Sequence, residues 1–201
     1  MYIARPDRTS DRHAREVVSA AGIATLFSSI DGLRATTLPV LWRDDDTVVA
    51  HFARANDHWH HLDGAPVLLV ATAPDAYISP SWYAAKTEHG RVVPTWNYSS
   101  VQLSGVAHIT HDADEILSIV EALTTRHEGG RTDPWAVSDA PESYVAQQLK
   151  AIVGITVTVD EANAKAKWSA ARSEADRDGV LRALDVENPS AATEMRSADH
   201  P

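Results

Sequence analysis

Two aromatic segments bracket a cationic loop in this chain: Tyr77-Ile78-Ser79-Pro80-Ser81-Trp82-Tyr83 and Val93-Pro94-Thr95-Trp96-Asn97-Tyr98. The polar stretch between them carries Lys86, His89 and Arg91. Tyrosine and tryptophan offer an apolar body with a polar tip. The prolines hold their neighbours extended and stiffen the loops. Rigid rings beside hydroxyls and cations suit a flat, anionic ligand, and a flavin phosphate is one: a ring to sandwich and a phosphate to neutralise. Such clusters are more often core, but two of them flanking a Lys/His/Arg loop make a pocket lining about as good a reading as core.

A second constellation is His51-Phe52-Ala53-Arg54-Ala55-Asn56, where a strand is expected to end and a short helix to begin. Arg54 and Asn56 there can offer a guanidinium and an amide to a phosphate near a helix N-terminus. Taken alone, the more ordinary reading of Arg54 is a strand-end arginine bonded to a carboxylate. His58, His60 and His61 follow closely, and on a helix His58 and His61 lie one turn apart. No HExxH is present and only Asp57 and Asp63 stand nearby, so direct binding of zinc or iron by these side chains is not expected. A haem iron needs only one histidine. Ser79 and Ser81 lack the Gly-x-Ser-x-Gly elbow of a nucleophile. His51 and His89 are the candidate proton-transfer groups, with His89 read as a solvent-facing loop residue.

The elements that position these residues read mainly as strands. Thr9 or Ser10 caps a helix running to Ala21, stopped by Gly22. Strands follow at 23–29 and 33–42 around the Asp31-Gly32 hairpin turn, with Pro39 marking an edge or bulge. A further strand spans 47–52, a short helix 56–62 and a buried strand 67–73. The strand 98–110 has Val101, Leu103, Gly105, Ala107 and Ile109 on one face. Asp112 caps an amphipathic helix to about His127 with the stripe Ile116, Ile119, Val120 and Leu123. A shorter helix is expected at 141–150, strands at 153–159 and 165–169, and a last helix at 174–184. The polar stretch 187–201 is expected to be a disordered tail. Short early connections exclude βαβ crossovers, and there is no GxGxxG or P-loop. The fold class is therefore mainly β with α additions, a barrel with helices added late.

Composition narrows the function. With 201 residues, 44% of them hydrophobic, the chain can build one full domain. No apolar run is long enough to span a membrane, and Met1–Arg15 has no apolar signal region. The absence of cysteine excludes thiolate chemistry and fits a cytoplasmic setting. A net charge of −10 with no Lys/Arg-rich run disfavours direct DNA binding.

Taken together, these segments are similar to the PaiB-type family of flavin-binding proteins. The resemblance runs through Thr36-Thr37-Leu38-Pro39, His51 to Asn56, Tyr77 to Tyr83, Lys86 to Asn97, Asp133-Pro134-Trp135 and Ala151-Ile152-Val153-Gly154. It continues through Lys165-Ala166-Lys167-Trp168-Ser169 to Arg172 and Ala175-Asp176-Arg177, and so covers residues 1–186 as one domain. It implies a split β-barrel with C-terminal helices that binds FMN non-covalently at a homodimer interface; members are described as FMN-binding negative transcriptional regulators. By matching position, Arg54 and Lys86 would neutralise the phosphate, with Asn56 beside Arg54. Ser79, Ser81 and Thr95 would supply hydroxyls, and Trp82, Trp96, Asn97 and Tyr98 would frame the ring. The role expected is that of a transcriptional regulator or a flavin-dependent sensor or reductase, with an oxidoreductase using NAD(P)H as an alternative. A related branch resembles piperazate synthases, which form an N–N bond with haem; there His51 or His58 would be the iron ligand. The chain departs from the family at Thr37, where histidine is usual, and at Asp57, where proline is usual. It also departs at Gln102 and Ser104, and at Ala170-Ala171, which replace a Gln-Asn pair.

Overall fold

The computed structural model describes residues 1–198. Helix α1, Asp11–Ala21, begins where Ser10 Oγ accepts the His13 amide at 3.2 Å, and ends at Gly22, whose φ of +67° suits glycine. Its inward face carries His13, Ala14, Val17 and Val18. Strands β1, Ile23–Ser28, and β2, Arg34–Pro39, pair antiparallel from Ile23↔Pro39 to Ser28↔Arg34. Their turn holds Asp31 and Gly32 at positive φ, as a tight hairpin requires. The expected strand 33–42 is in fact two. Pro39 ends β2, and Val40 donates its amide to Gly22 O at 3.0 Å. Leu41–Trp42 then forms β3, paired with β4, Thr47–Ala53.

The stretch 56–62 is a tight 3-10 turn, Asp57–His61, rather than an α-helix. β5, Pro66–Ile78, and β6, Thr95–Thr110, are longer than their apolar patterns suggest. The short helix α2, Ala85–Glu88, lies between them. Helix α3, Ala113–Glu128, is capped by Asp112, which accepts the amides of Asp114 and Glu115 at 3.0 Å each. Helix α4, Glu142–Leu149, leads into β7, Ile152–Lys167, a single strand where two were expected. The sheet order is β2-β1-β5-β6-β7-β4-β3, and β4 pairs antiparallel with β7 along Thr47↔Thr158 to Ala53↔Ile152. Helices α5, Glu174–Glu187, and α6, Pro189–Ser197, close the described chain.

Helix α6 corrects the expectation of a disordered tail. Asn188 caps it, and Ala191, Ala192 and Met195 are buried, so small side chains make an apolar face. The end of that expected tail, 199–201, lies outside the described residues.

The chain divides into two compact units. The first comprises 1–21, 71–101 and the chain from 163 on; the second comprises 22–70 and 102–162. In the first unit Ile78, Tyr83, Trp168, Val180, Leu184 and Met195 form one core. In the second, Val49, Ile119 and Leu123 pack together. Gly154 permits the approach of α3 there, since a Cβ would stand 2.6 Å from Thr110 Cγ2 and 3.1 Å from Ile119 Cδ1.

Candidate functional site

In the first unit three lysines contact the aromatic segments. Pro80–Trp82 forms a 3-10 turn capped by Ser79, whose Oγ accepts the Ser81 amide at 3.2 Å. Lys86, on the next short helix, donates to Ser81 Oγ at 2.9 Å. Lys167 at the end of β7 donates to Thr95 Oγ1 and to Trp96 O, both at 2.6 Å. Its Nζ stands 5.8 Å from the centre of the Tyr98 ring, with Lys165 at 5.5 Å. Tyr77 and Trp96 meet edge to face at 6.1 Å, and both are about half exposed. Tyr77, Trp82 and Trp96 also line a cavity of about 310 Å³ whose other walls include Asp75 and Glu187.

Asn97 and Ser169 supply a further feature. Asn97 is buried and donates from Nδ2 to Ser169 Oγ at 3.0 Å, while its Oδ1 has no hydrogen-bond partner. A buried amide carbonyl without a donor is costly, so Asn97 Oδ1 is an unsatisfied acceptor enclosed in this unit. Ser169 sits at a φ of +62° and turns the chain into Ala170-Ala171, where the resembling family has its Gln-Asn pair.

Arg54 and Asn56 fall in the second unit, and both are engaged there. Arg54 donates from Nε to Lys150 O at 2.7 Å and from Nη2 to Ile152 O at 2.8 Å; neither partner is a carboxylate. Asn56 Oδ1 accepts the His58 amide at 2.9 Å, capping the 3-10 turn. Its Nδ2 reaches Thr36 Oγ1 at 3.4 Å. His58 is buried, with Nε2 at 2.9 Å from Ser28 Oγ and Nδ1 at 2.8 Å from Thr36 Oγ1. Both ring nitrogens of His58 are thus hydrogen-bonded within this unit. His51 is half-buried, and its Nδ1 has no hydrogen-bond partner. Burial lowers the pKa of both residues, with the charge of Arg34 adding to the effect at His58. Both imidazoles are therefore held neutral. Thr37, at the usual histidine position, bonds across the hairpin to Thr25 Oγ1 at 3.0 Å. Among the described residues, no group of three or more His, Asp or Glu side chains is placed to hold a metal ion.

Residues 1–161 match the family described as "Putative FMN-binding domain". The chain belongs to this FMN-binding-domain family. It is 32% identical over 162 residues to "Protease synthase and sporulation protein PAI 2" of Bacillus subtilis, covering 78% of this chain and 75% of that protein. The family's split-barrel fold is shared with solved structures of low identity. One is the FAD and heme binding protein from Mycobacterium smegmatis (TM-score 0.60, 22% identity, 81% of this chain and 73% of that one). Another is a conserved hypothetical protein from Mycobacterium tuberculosis (TM-score 0.61, 14% identity, 87% of this chain and 95% of that one). The seven-stranded sheet with helical additions is this fold. No helix among the described residues is long and apolar enough to cross a membrane.

The family match ends at 161, before Lys165, Lys167, Ser169 and helix α5. The family motif includes Lys165 and Lys167, but neither is named among the candidate site residues. Their alternation along a strand, which sets residues two apart on one face, was the signal available.

Proposed function

We propose that this protein binds FMN non-covalently through the aromatic and lysine cluster of its first unit. The observation that carries the reading is the pairing of lysines with hydroxyls next to the aromatic side chains of both segments. Lys86 pairs with Ser81 and Lys167 with Thr95, beside Trp82, Trp96 and Tyr98. Lys86, with Ser79 and Ser81, would take the phosphate; a lysine is a strong point charge for that task. Trp82 and Trp96, which line one cavity, would frame the ring. Flavin, when bound, supplies two-electron transfer chemistry of its own. The protein's part is to hold and orient the ring and keep water from it.

Tyr77, Val93 and Trp96 stand exposed together on this unit. Exposed rings and apolar side chains in one region mark an interaction surface, and a second copy of this chain would cover them. The net charge of −10 favours a flavin-dependent sensor or NAD(P)H-using reductase over a protein that grips DNA directly.

The test is a paired titration with FMN and riboflavin, read by quenching of flavin fluorescence. FMN should bind about tenfold or more tighter than riboflavin, as a charge-assisted phosphate contact predicts. Lys86→Ala should close that gap. Equal affinities in the wild type would remove Lys86 from the site.

A further inference from the structure

We propose that the second unit carries a separate small-molecule site that takes an elongated apolar molecule ending in one anionic group. A cavity of about 670 Å³ lies between α3 and α4, within the range of small-ligand pockets. Ile116 and Leu117 of α3 line it, facing Val145 and Leu149 of α4. Helix α4 buries none of its residues fully. Its apolar stripe is thus only half covered, although an amphipathic helix normally presents such a stripe to a core.

The two ends of this groove differ in charge. At one end are Arg54, His111 and Lys150. The two carbonyl bonds of Arg54 fix its guanidinium, and its Nη1 lies 3.4 Å from His111 Nδ1. Arg54 is therefore a preorganised cation at the mouth of an apolar wall. Asp114, in the first turn of α3, is the carboxylate that lines the cavity near this end. Glu142 opens α4 while Lys150 caps its far end. At 1.5 Å per residue that separates the two by roughly 12 Å. Glu121, two turns along α3 from Asp114, also lines the cavity. An anion is thus favoured at the Arg54 end and repelled at the Glu142 end, with an apolar span between.

The site is tested with the full chain saturated in FMN, using 8-anilinonaphthalene-1-sulfonate as a fluorescent probe and decanoate as competitor. The probe should brighten and decanoate should displace it, whereas butyrate and dodecylamine should not. Val145→Glu places a carboxylate on the groove wall without touching the Arg54 anchors; it should weaken decanoate by about tenfold or more. Arg54→Ala should do the same. Displacement of the probe by dodecylamine as readily as by decanoate would overturn the inference. So would a decanoate-displaceable signal present in the FMN-free chain and lost once FMN saturates it, which would make this cavity the phosphate end of the flavin site. A dark probe with a dimer that Val145→Glu dissociates in sedimentation would also overturn it, since a second copy would then fill the groove.

Discussion

Lys86 and Glu194 show how single side chains carry testable consequences. If Lys86 holds the flavin phosphate, Lys86→Ala should weaken FMN by about 1.5–3 kcal/mol, the range for a hydrogen bond to a charged group. Fluorescence titration measures this, and unchanged affinity would contradict it. Replacing Ala170-Ala171 by Gln-Asn should tighten FMN if that turn faces the ring beside Asn97; the same titration decides. Glu194 anchors α6 through a buried chain of contacts. Its Oε1 lies 3.0 Å from His13 Nε2 and accepts from Ser99 Oγ, which in turn accepts Trp168 Nε1–H at 2.8 Å. Glu16 faces the other His13 nitrogen at 3.5 Å. The bond to Glu194 raises the His13 pKa above its ordinary 6.5 against the opposing effect of burial. At Glu194 burial pushes upward, but the bonds from His13 and Ser99 outweigh it and leave the carboxyl below 4.5. The His13 contribution is fully present below pH 6.5 and fades as pH climbs through its raised value. The Glu194 contribution is fully present above pH 4.5 and fades as pH falls through its lowered value. The wild type should therefore exceed Glu194→Gln in urea-unfolding free energy most between about pH 4.5 and 6.5, and less on either side. His51 and His58, held neutral by burial, oppose folding at low pH, but they do so in both proteins and cancel in the difference. A pH-independent gap would contradict the account.

Helix α5 illustrates what an element demands that its sequence conceals. Gly179 lies inside it, and a Cβ there would stand 2.0 Å from Trp82 O. Gly179→Ala should therefore push α5 off the Ser79-Pro80-Ser81-Trp82 turn, lowering both the melting temperature and FMN affinity. Retention of both would show that the turn yields freely. Met195→Ala in α6 should cost about 2–5 kcal/mol, as truncations of buried methionine do, with urea unfolding as the measure. The strands and α3 were legible because alternation and a 3.6-residue stripe are local signals. The aromatic segments were legible because Trp, Tyr and Pro cluster there in few residues. Helix α6 was not, since Ala191 and Ala192 make a face too weak to read as amphipathic. The break expected within β7 was misled by Asp160 and Glu161, which remain in the strand with exposed side chains. The carboxylate partner expected for Arg54 taken alone is replaced by two backbone carbonyls, for a reason no local motif carries. These acceptors lie 96 and 98 residues away in sequence.

At the scale of the whole molecule, charge and fold constrain the role together. A chain of net charge −10 should give no shift of an operator fragment at moderate salt, and any regulatory effect should pass through a protein partner. With flavin added, consumption of NADH or NADPH would assign the reductase role, and its absence would leave the sensor role. Both roles depend on the flavin itself, so the absorption spectrum of the purified full chain, before and after FMN is added, is the most direct test. Flavin bands that stay with the protein through gel filtration, with quenched flavin fluorescence, are the predicted result. A colourless protein that ignores FMN, or one showing a Soret band in place of flavin bands, would contradict it.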